Sequence, residues 1–203
     1  KMKLAKLTAG QIISTKGYHV AGDGGGASYL VAASQVVDGY GDHALANGVV
    51  ALLQAGGSAD VKQYGAKGDG TTDATAAIQA ALNTVSTEIY FPDGTYRIAN
   101  ATTSPALTSS VADRRIYGTG VITATDQVKK AIQVTGANTV IDGLHIDGNN
   151  FIGYAIEMAS LNPTVRDCYI HDLNGFTDWG GIAIRLDFDG LDTSALVCNN
   201  VIK

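Results

Sequence analysis

Residues 141–146, IDGLHI, align without gaps with IYGTGV (116–121), VRDCYI (165–170) and VCNNVI (197–202). Successive offsets are 25, 24 and 32 residues. The first and sixth positions are Ile or Val in all four segments. The third is Gly118, Gly143, Asp167 or Asn199, residue types that tolerate a left-handed backbone. Each segment therefore reads as a short strand, a sharp bend and a second short strand. A further ladder lies between them: AIQV (131–134), AIEM (155–158) and GIAI (181–184), offset by 24 and 26.

A period of this size signals a solenoid, in which each unit buries its apolar face only against its neighbours. Strand–bend–strand units with inward Ile and Val predict a parallel β-helix, right-handed by the general rule for parallel crossovers. A leucine-rich repeat shares the period, but its Leu spacing around an Asn is absent.

Upstream, YGAKGDGTTDATAAIQAAL (64–82) sets glycines before a helical pattern. A phosphate loop needs Gly-Lys-Ser/Thr at the helix start, whereas Gly70-Thr71-Thr72 stands there and Lys67 precedes the glycines. Thr72 or Asp73 can cap the helix. Ala77, Ile78, Ala81, Leu82 and Val85 form one apolar stripe, so the helix, about 73–85, is expected to cover the open end of the coil stack. A strand (89–91), a Pro-Asp-Gly turn and a returning strand (95–98) follow.

The first part of the chain has a different character. Gly24-Gly25-Gly26 and Asn47-Gly48 sit between apolar, β-prone runs, which predicts a small β-domain over 1–54 with a type I′ turn at Asn47-Gly48. Residues 55–60, AGGSAD, read as a linker, and 61–203 as the start of the β-helix, with coils over about 115–203. Gly22-Asp23-Gly24 imitates a dinucleotide fingerprint, but SYLVAA after it is a strand pattern rather than a helix.

Composition agrees with a mainly β protein. Charged residues are 16% and Gly numbers 25 against 3 Pro in 203 residues. A net charge of −5 with no basic run excludes an electrostatic footprint for nucleic acid. No apolar run is long enough to span a membrane. Cys168 and Cys198 are too few for a disulfide framework and read as small buried side chains.

The stretch VKQYGAKGDGTTDATAAIQAAL…EIYFPDGTYRI (61–98) resembles the opening segment of the pectate-lyase-like β-helix superfamily. Within that superfamily it is similar to bacteriophage tailspikes that degrade bacterial surface polysaccharide. The preceding GYHVAGDGGGASYLV…NGVVALL (17–53) resembles the small β-domain that often precedes the β-helix in such spikes. The resemblance implies a glycosidase acting on capsule or O-antigen, with a lyase or a non-catalytic anchoring and trimerisation segment as alternatives. It also implies a homotrimer, joined to the virion through residues 1–54, and no cofactor. Because VCNNVIK stops within a coil, the chain is expected to be an N-terminal fragment, with catalytic residues on later coils.

Several residues are candidates within the chain itself. One row of the stack should carry Tyr117, Asp142, Arg166 and Cys198, with Asp142 and Arg166 as a surface ion pair. One residue beyond the repeat, Asp147 should neighbour His171, either as a tuned acid–base pair or as a solvated one. HDLNGFTDWGG (171–181) gathers Asp172, Asp178, Phe176 and Trp179. Asp147, Asp172 and Asp178 are candidate catalytic carboxyls, and Trp179, Phe176 and Tyr154 candidate sugar contacts. The alternative for Trp179 is packing under its loop or at a trimer interface. Asp187, Asp189 and Asp192 suggest a calcium loop, but the closing glutamate is missing and no metal is expected.

Overall fold

The computed structural model describes residues 6–99, 101–174, 181–187 and 194–203, and of 101–104 the backbone alone. The N-terminal part is an antiparallel sheet of β1 (Ile12–Ser14), β2 (Ser28–Ala32), β3 (His43–Ala44) and β4 (Val50–Leu53), in the order β1-β2-β4-β3. Its core is Ala27, Tyr29, Val31, Leu45 and Ala51. The Asn47-Gly48 turn differs from the expected type I′. Gly48 has φ +81° but Asn47 is not left-handed, and Gly48 N–H donates to Leu45 C=O. A turn closed one residue earlier and followed by a left-handed glycine makes the longer, bulged hairpin loop. Asp23 organises the glycine-rich connection between β1 and β2. Partial burial opposes its ionisation, but the backbone N–H groups of Val20, Gly25, His19 and Tyr18, at 2.7–3.0 Å, outweigh it and hold the carboxyl at about 2. The acid of the apparent dinucleotide fingerprint is thus spent on its own loop.

The remainder is a parallel β-solenoid. It opens with β5 (Ser58–Asp60) and β6 (Asp69–Asp73), followed by a helix, α1 (Thr75–Leu82). Four coils with three strands each follow: β7 (Glu88–Phe91), β8 (Thr95–Ile98) and β9 (Ala101–Ser109); β10 (Arg115–Gly118), β11 (Val121–Ala124) and β12 (Val128–Val134); β13 (Val140–Asp142), β14 (His145–Asp147) and β15 (Ile152–Met158); β16 (Thr164–Arg166), β17 (Tyr169–His171) and β18 (Ile182–Leu186). β19 (Leu196–Cys198) and β20 (Val201–Ile202) add one more rung. The strands stack into three parallel faces, β5-β7-β10-β13-β16-β19, β6-β8-β11-β14-β17-β20 and β9-β12-β15-β18. The solenoid therefore begins at Ser58, inside the stretch read as a linker, and well before residue 115.

Three inward columns form the core. On the first face, Ala59, Ile89, Ile116, Ile141, Val165 and Val197 are directly in register. The bends after them are left-handed as expected: φ is +150° at Gly118, +70° at Gly143 and +55° at Asp167 and Asn199. On the second face the column is Tyr96, Ile122, Ile146, Ile170 and Ile202, so Ile122, not Val121, matches Ile146. The segment 116–121 hides one extra residue at its bend. The extra length fits because a side chain is absent at two points of close approach. A Cβ on Gly118 would lie 2.0 Å from Phe91 C=O, and one on Gly120 2.5 Å from Pro92 C=O. On the third face the column is Leu107, Ile132, Ile156 and Ile184. Ile184 replaces the expected Ile182, a shift of two that keeps the same parity.

α1 takes the place of a third-face strand and packs on β9. Ala77, Ile78, Ala81 and Leu82 are its buried face. Val85 is 90% exposed, because the helix ends at Leu82 and the expected stripe loses its phase there. Of the two capping candidates, Asp73 reaches the first turn and accepts from Thr75 N–H at 2.9 Å. Gln79 acts as a surrogate strand: its side-chain amide donates to Thr108 C=O at 2.9 Å and accepts from Thr108 N–H at 2.8 Å. That pairing closes the β9 edge, the point at which an open sheet invites association.

Below α1 lies Arg114, only 1% exposed. Its guanidinium donates to the carbonyls of Leu82 (2.6 Å), Ser86 (3.0 Å) and Thr84, and to Ser109 Oγ (3.4 Å). A fixed fork of donors thus satisfies the carbonyls at and beyond the helix end, where the helix dipole favours a cation. Of the cysteines, Cys168 is buried and Cys198 partly exposed on the last rung; neither is bonded to the other.

Candidate active site

Inward Ile146 and Ile170 force their neighbours outward, because successive strand side chains alternate faces. β14 thus presents His145 and Asp147, and β17 presents Tyr169 and His171, on the outer surface of the second face. Register sets His145 beside Tyr169 and Asp147 beside His171. The three rings cluster, with centroids 4.7–5.0 Å apart. His145 Nε2 lies 2.8 Å from His171 Nε2. Asp172 follows in a left-handed conformation (φ +52°), which turns its carboxylate back to 2.8 Å from His171 Nδ1. Asp147 Oδ1 approaches the same nitrogen at 3.7 Å. Oxygens of the two carboxylates lie within 4.8 Å of one another.

Partial burial, and then the repulsion of His171, lower the His145 pKa against the smaller opposing effect of Asp147. His145 is thereby biased towards neutral imidazole, able to accept a proton. Asp147 and Asp172 keep side-chain exposures of 35% and 64%, open to a ligand from solvent. The cluster sits at the start of a widened connection. Ten residues (172–181) separate β17 from β18, against four (148–151) between β14 and β15.

Of the candidate residues, Asp147 and Asp172 therefore converge on His171. Asp178, Phe176 and Trp179 lie outside the described residues, as do Asp189 and Asp192. Asp187 is already engaged, accepting from Arg185 at 2.8 Å. Tyr154 is on the third face and 2% exposed, with the Arg185 guanidinium 5.6 Å from its ring centre, so it offers no open ring to a sugar. The Asp142–Arg166 pair forms at 2.8 Å. Arg115 donates to the same carboxylate at 2.8 Å, and the Arg166 and Arg115 bonds lower the Asp142 pKa. His145 and Tyr169 were not singled out from sequence. Their signal is the period of two: each precedes a flagged residue by two positions in the same strand.

A cavity of about 350 Å³ at the junction of the two parts is lined by His19, Asp23, Lys62, Lys67 and Asp69. Its Asp69, on β6, stands three rungs from β14 on the same face. Its carboxylates are committed to backbone, Asp23 as described and Asp69 to Thr71 and Thr72 N–H at 2.9 and 2.7 Å.

Residues 58–156 match the family described as rhamnogalacturonase A/epimerase, pectate lyase-like. The match covers 99 of the chain's 203 residues, from β5 into β15. Nearly the whole chain is similar in structure to the tailspike gp49 of Acinetobacter baumannii bacteriophage Fri1, a capsular polysaccharide depolymerase. That match has a TM-score of 0.74 at 18% identity, over 98% of this chain and 41% of that one. The Pantoea stewartii enzyme WceF, which modifies glycan biofilm and has a tailspike-like parallel β-helix, matches at TM-score 0.63 and 15% identity, over 99% and 36%. Tailspike protein 4 of bacteriophage CBA120 matches at 0.56 and 15%, over 97% and 32%. At these identities the likeness is one of fold, and the chain spans less than half the length of each. No curated protein sequence matches the chain.

Proposed function

We propose that the protein depolymerises a bacterial surface polysaccharide, capsule or O-antigen, as part of a phage tailspike. Hydrolysis of a glycosidic bond is the reaction proposed, on the outer surface of the second face. The observation that carries this reading is the approach of the Asp147 and Asp172 carboxylates to within 4.8 Å of each other at His171 Nδ1. Retaining glycosidases hold their two carboxyls about 5–5.5 Å apart, one attacking the anomeric carbon and one protonating the leaving oxygen, whereas inverting pairs stand further apart. Phe176 and Trp179, in the widened connection that starts at Asp172, are proposed to supply flat apolar contacts for sugar rings.

A lyase is the second reading, favoured by the neutral bias of His145 beside Tyr169, which pairs a base with a proton donor. The N-terminal sheet is proposed to anchor the protein to the virion and to sit at the base of a homotrimer. Ile12, Val20 and Val36, exposed at 74%, 68% and 96%, support that role.

The full-length protein, incubated with capsular polysaccharide or O-antigen of its host, is expected to release reducing ends without the ultraviolet absorbance of an unsaturated uronate. Asp147→Asn and Asp172→Asn should each lower the rate at least ~100-fold, the scale of a lost acid–base group. Absorbance appearing with the new ends would move the assignment to a lyase. Unchanged turnover in both variants would remove this surface from the chemistry.

A further inference from the structure

We propose that Asp147, His171 and Asp172 form a binding site for a divalent transition cation of the zinc type, with His145 positioning the histidine ligand. Zinc bonds to nitrogen and carboxylate oxygen are about 2.0–2.2 Å, so two ligand atoms on one tetrahedral ion stand roughly 3.3 Å apart. The separations from His171 Nδ1 are 2.8 Å to Asp172 Oδ2 and 3.7 Å to Asp147 Oδ1, which bracket that value. All three ligand atoms lie within 4.8 Å of one another. Asp147 Oδ1 also accepts from Asn149 N–H at 2.9 Å, which fixes the carboxylate in place.

The second imidazole is the independent observation. A metal-bound histidine carries its remaining proton on the other ring nitrogen and needs an acceptor there. His171 Nε2 has one in His145 Nε2 at 2.8 Å, and Tyr169 packs against both rings. That contact aims Nδ1 of His171 at two carboxylates, so a cation that displaces the Nδ1 proton would sit at their centre. The ligand set selects among cations: imidazole suits zinc-like ions, while calcium and magnesium take oxygen. Three protein ligands on an open surface leave a position for water or a sugar oxygen.

This inference concerns the side chains of the hydrolytic reading but is measured without substrate. When the cation is bound, both carboxylates are ligands and are withdrawn from the acid and nucleophile roles. Zinc is then an inhibitor of the proposed hydrolysis.

The test is calorimetric titration of Zn²⁺ into the tag-free, metal-stripped 203-residue chain carrying Cys198→Ser, so that no exposed thiol competes. One saturable equivalent per chain is expected. His171→Ala and Asp147→Asn should each weaken binding at least ~10-fold, and His145→Phe ~10-fold or more as the loss of an orienting partner. Asp172→Asn serves as a further variant, since Asn tolerates the left-handed backbone. His19→Ala, distant in the N-terminal part, should bind unchanged, and a tenfold excess of Ca²⁺ should not compete. Absence of saturable binding, or full binding retained in folded His171→Ala and Asp147→Asn, would overturn the assignment whatever the protein does to polysaccharide.

Discussion

Arg114→Met is expected to lower the stability of the chain by about 4 kcal/mol, since each buried carbonyl left without a donor costs ~1–3 kcal/mol. Three carbonyls, of Leu82, Thr84 and Ser86, depend on the guanidinium and would be left below the packed helix. Methionine fills a similar volume but donates nothing. For a chain of this length the melting temperature should fall by roughly 10 °C. Lysine, with one compact charge in place of a planar fork, should restore only ~1 kcal/mol. Hydrogen exchange should show the α1 amides losing protection before those of the central coils. Should Arg114→Met unfold within ~1 kcal/mol of the parent, the guanidinium would not be what holds the helix end.

The second large effect is at Ile141, fully buried between Ile116 below and Val165 above. Ile141→Ala removes three methylene-sized groups from a column that cannot collapse, because backbone hydrogen bonds fix the rung spacing. A loss of about 3–4 kcal/mol is expected, within the range of buried Ile→Ala changes. Val197 occupies the same column on the last rung and is 45% exposed, so Val197→Ala should cost below ~1 kcal/mol. Urea unfolding of the two variants measures the contrast. Equal losses would mean that position in the stack does not set the energy.

The first-face column was legible because every rung places a branched aliphatic beside a residue suited to the left-handed bend. Ile116, Ile141, Val165 and Val197 therefore align unambiguously. Register was harder where two answers satisfy the same pattern. Val121 and Ile122 are both apolar, and the choice depends on Gly118 and Gly120 passing close to the preceding coil, a tertiary contact. Ile182 and Ile184 share parity, and only the length of the 172–181 connection decides between them. Arg114 illustrates a cue present but unused: it shares parity with inward Ile116, whereas Arg115 shares it with outward Tyr117. The candidate site was half legible. Asp147 and His171 follow from the repeat, while the return of Asp172 depends on its positive φ and the His145–His171 contact crosses diagonally between rungs. Tyr154 was misread: it is 2% exposed, in a strand whose residues are all buried.

The stacking of the coils in this register is what brings His145, Asp147, His171 and Asp172 together. Tyr90, Tyr117, Asp142, Arg166 and Cys198 form one outward row of successive rungs. Four steps of about 4.8 Å place its ends ~19 Å apart. Spin labels on Tyr90→Cys and the native Cys198 report this distance by pulsed electron resonance. Cys168 stays unlabelled, because burial shields its thiol and raises its pKa to about 11. A single narrow distribution centred at roughly 20–25 Å, allowing for the label arms, is the result the stack requires. A broad distribution, or one centred at about twice that distance, would contradict it.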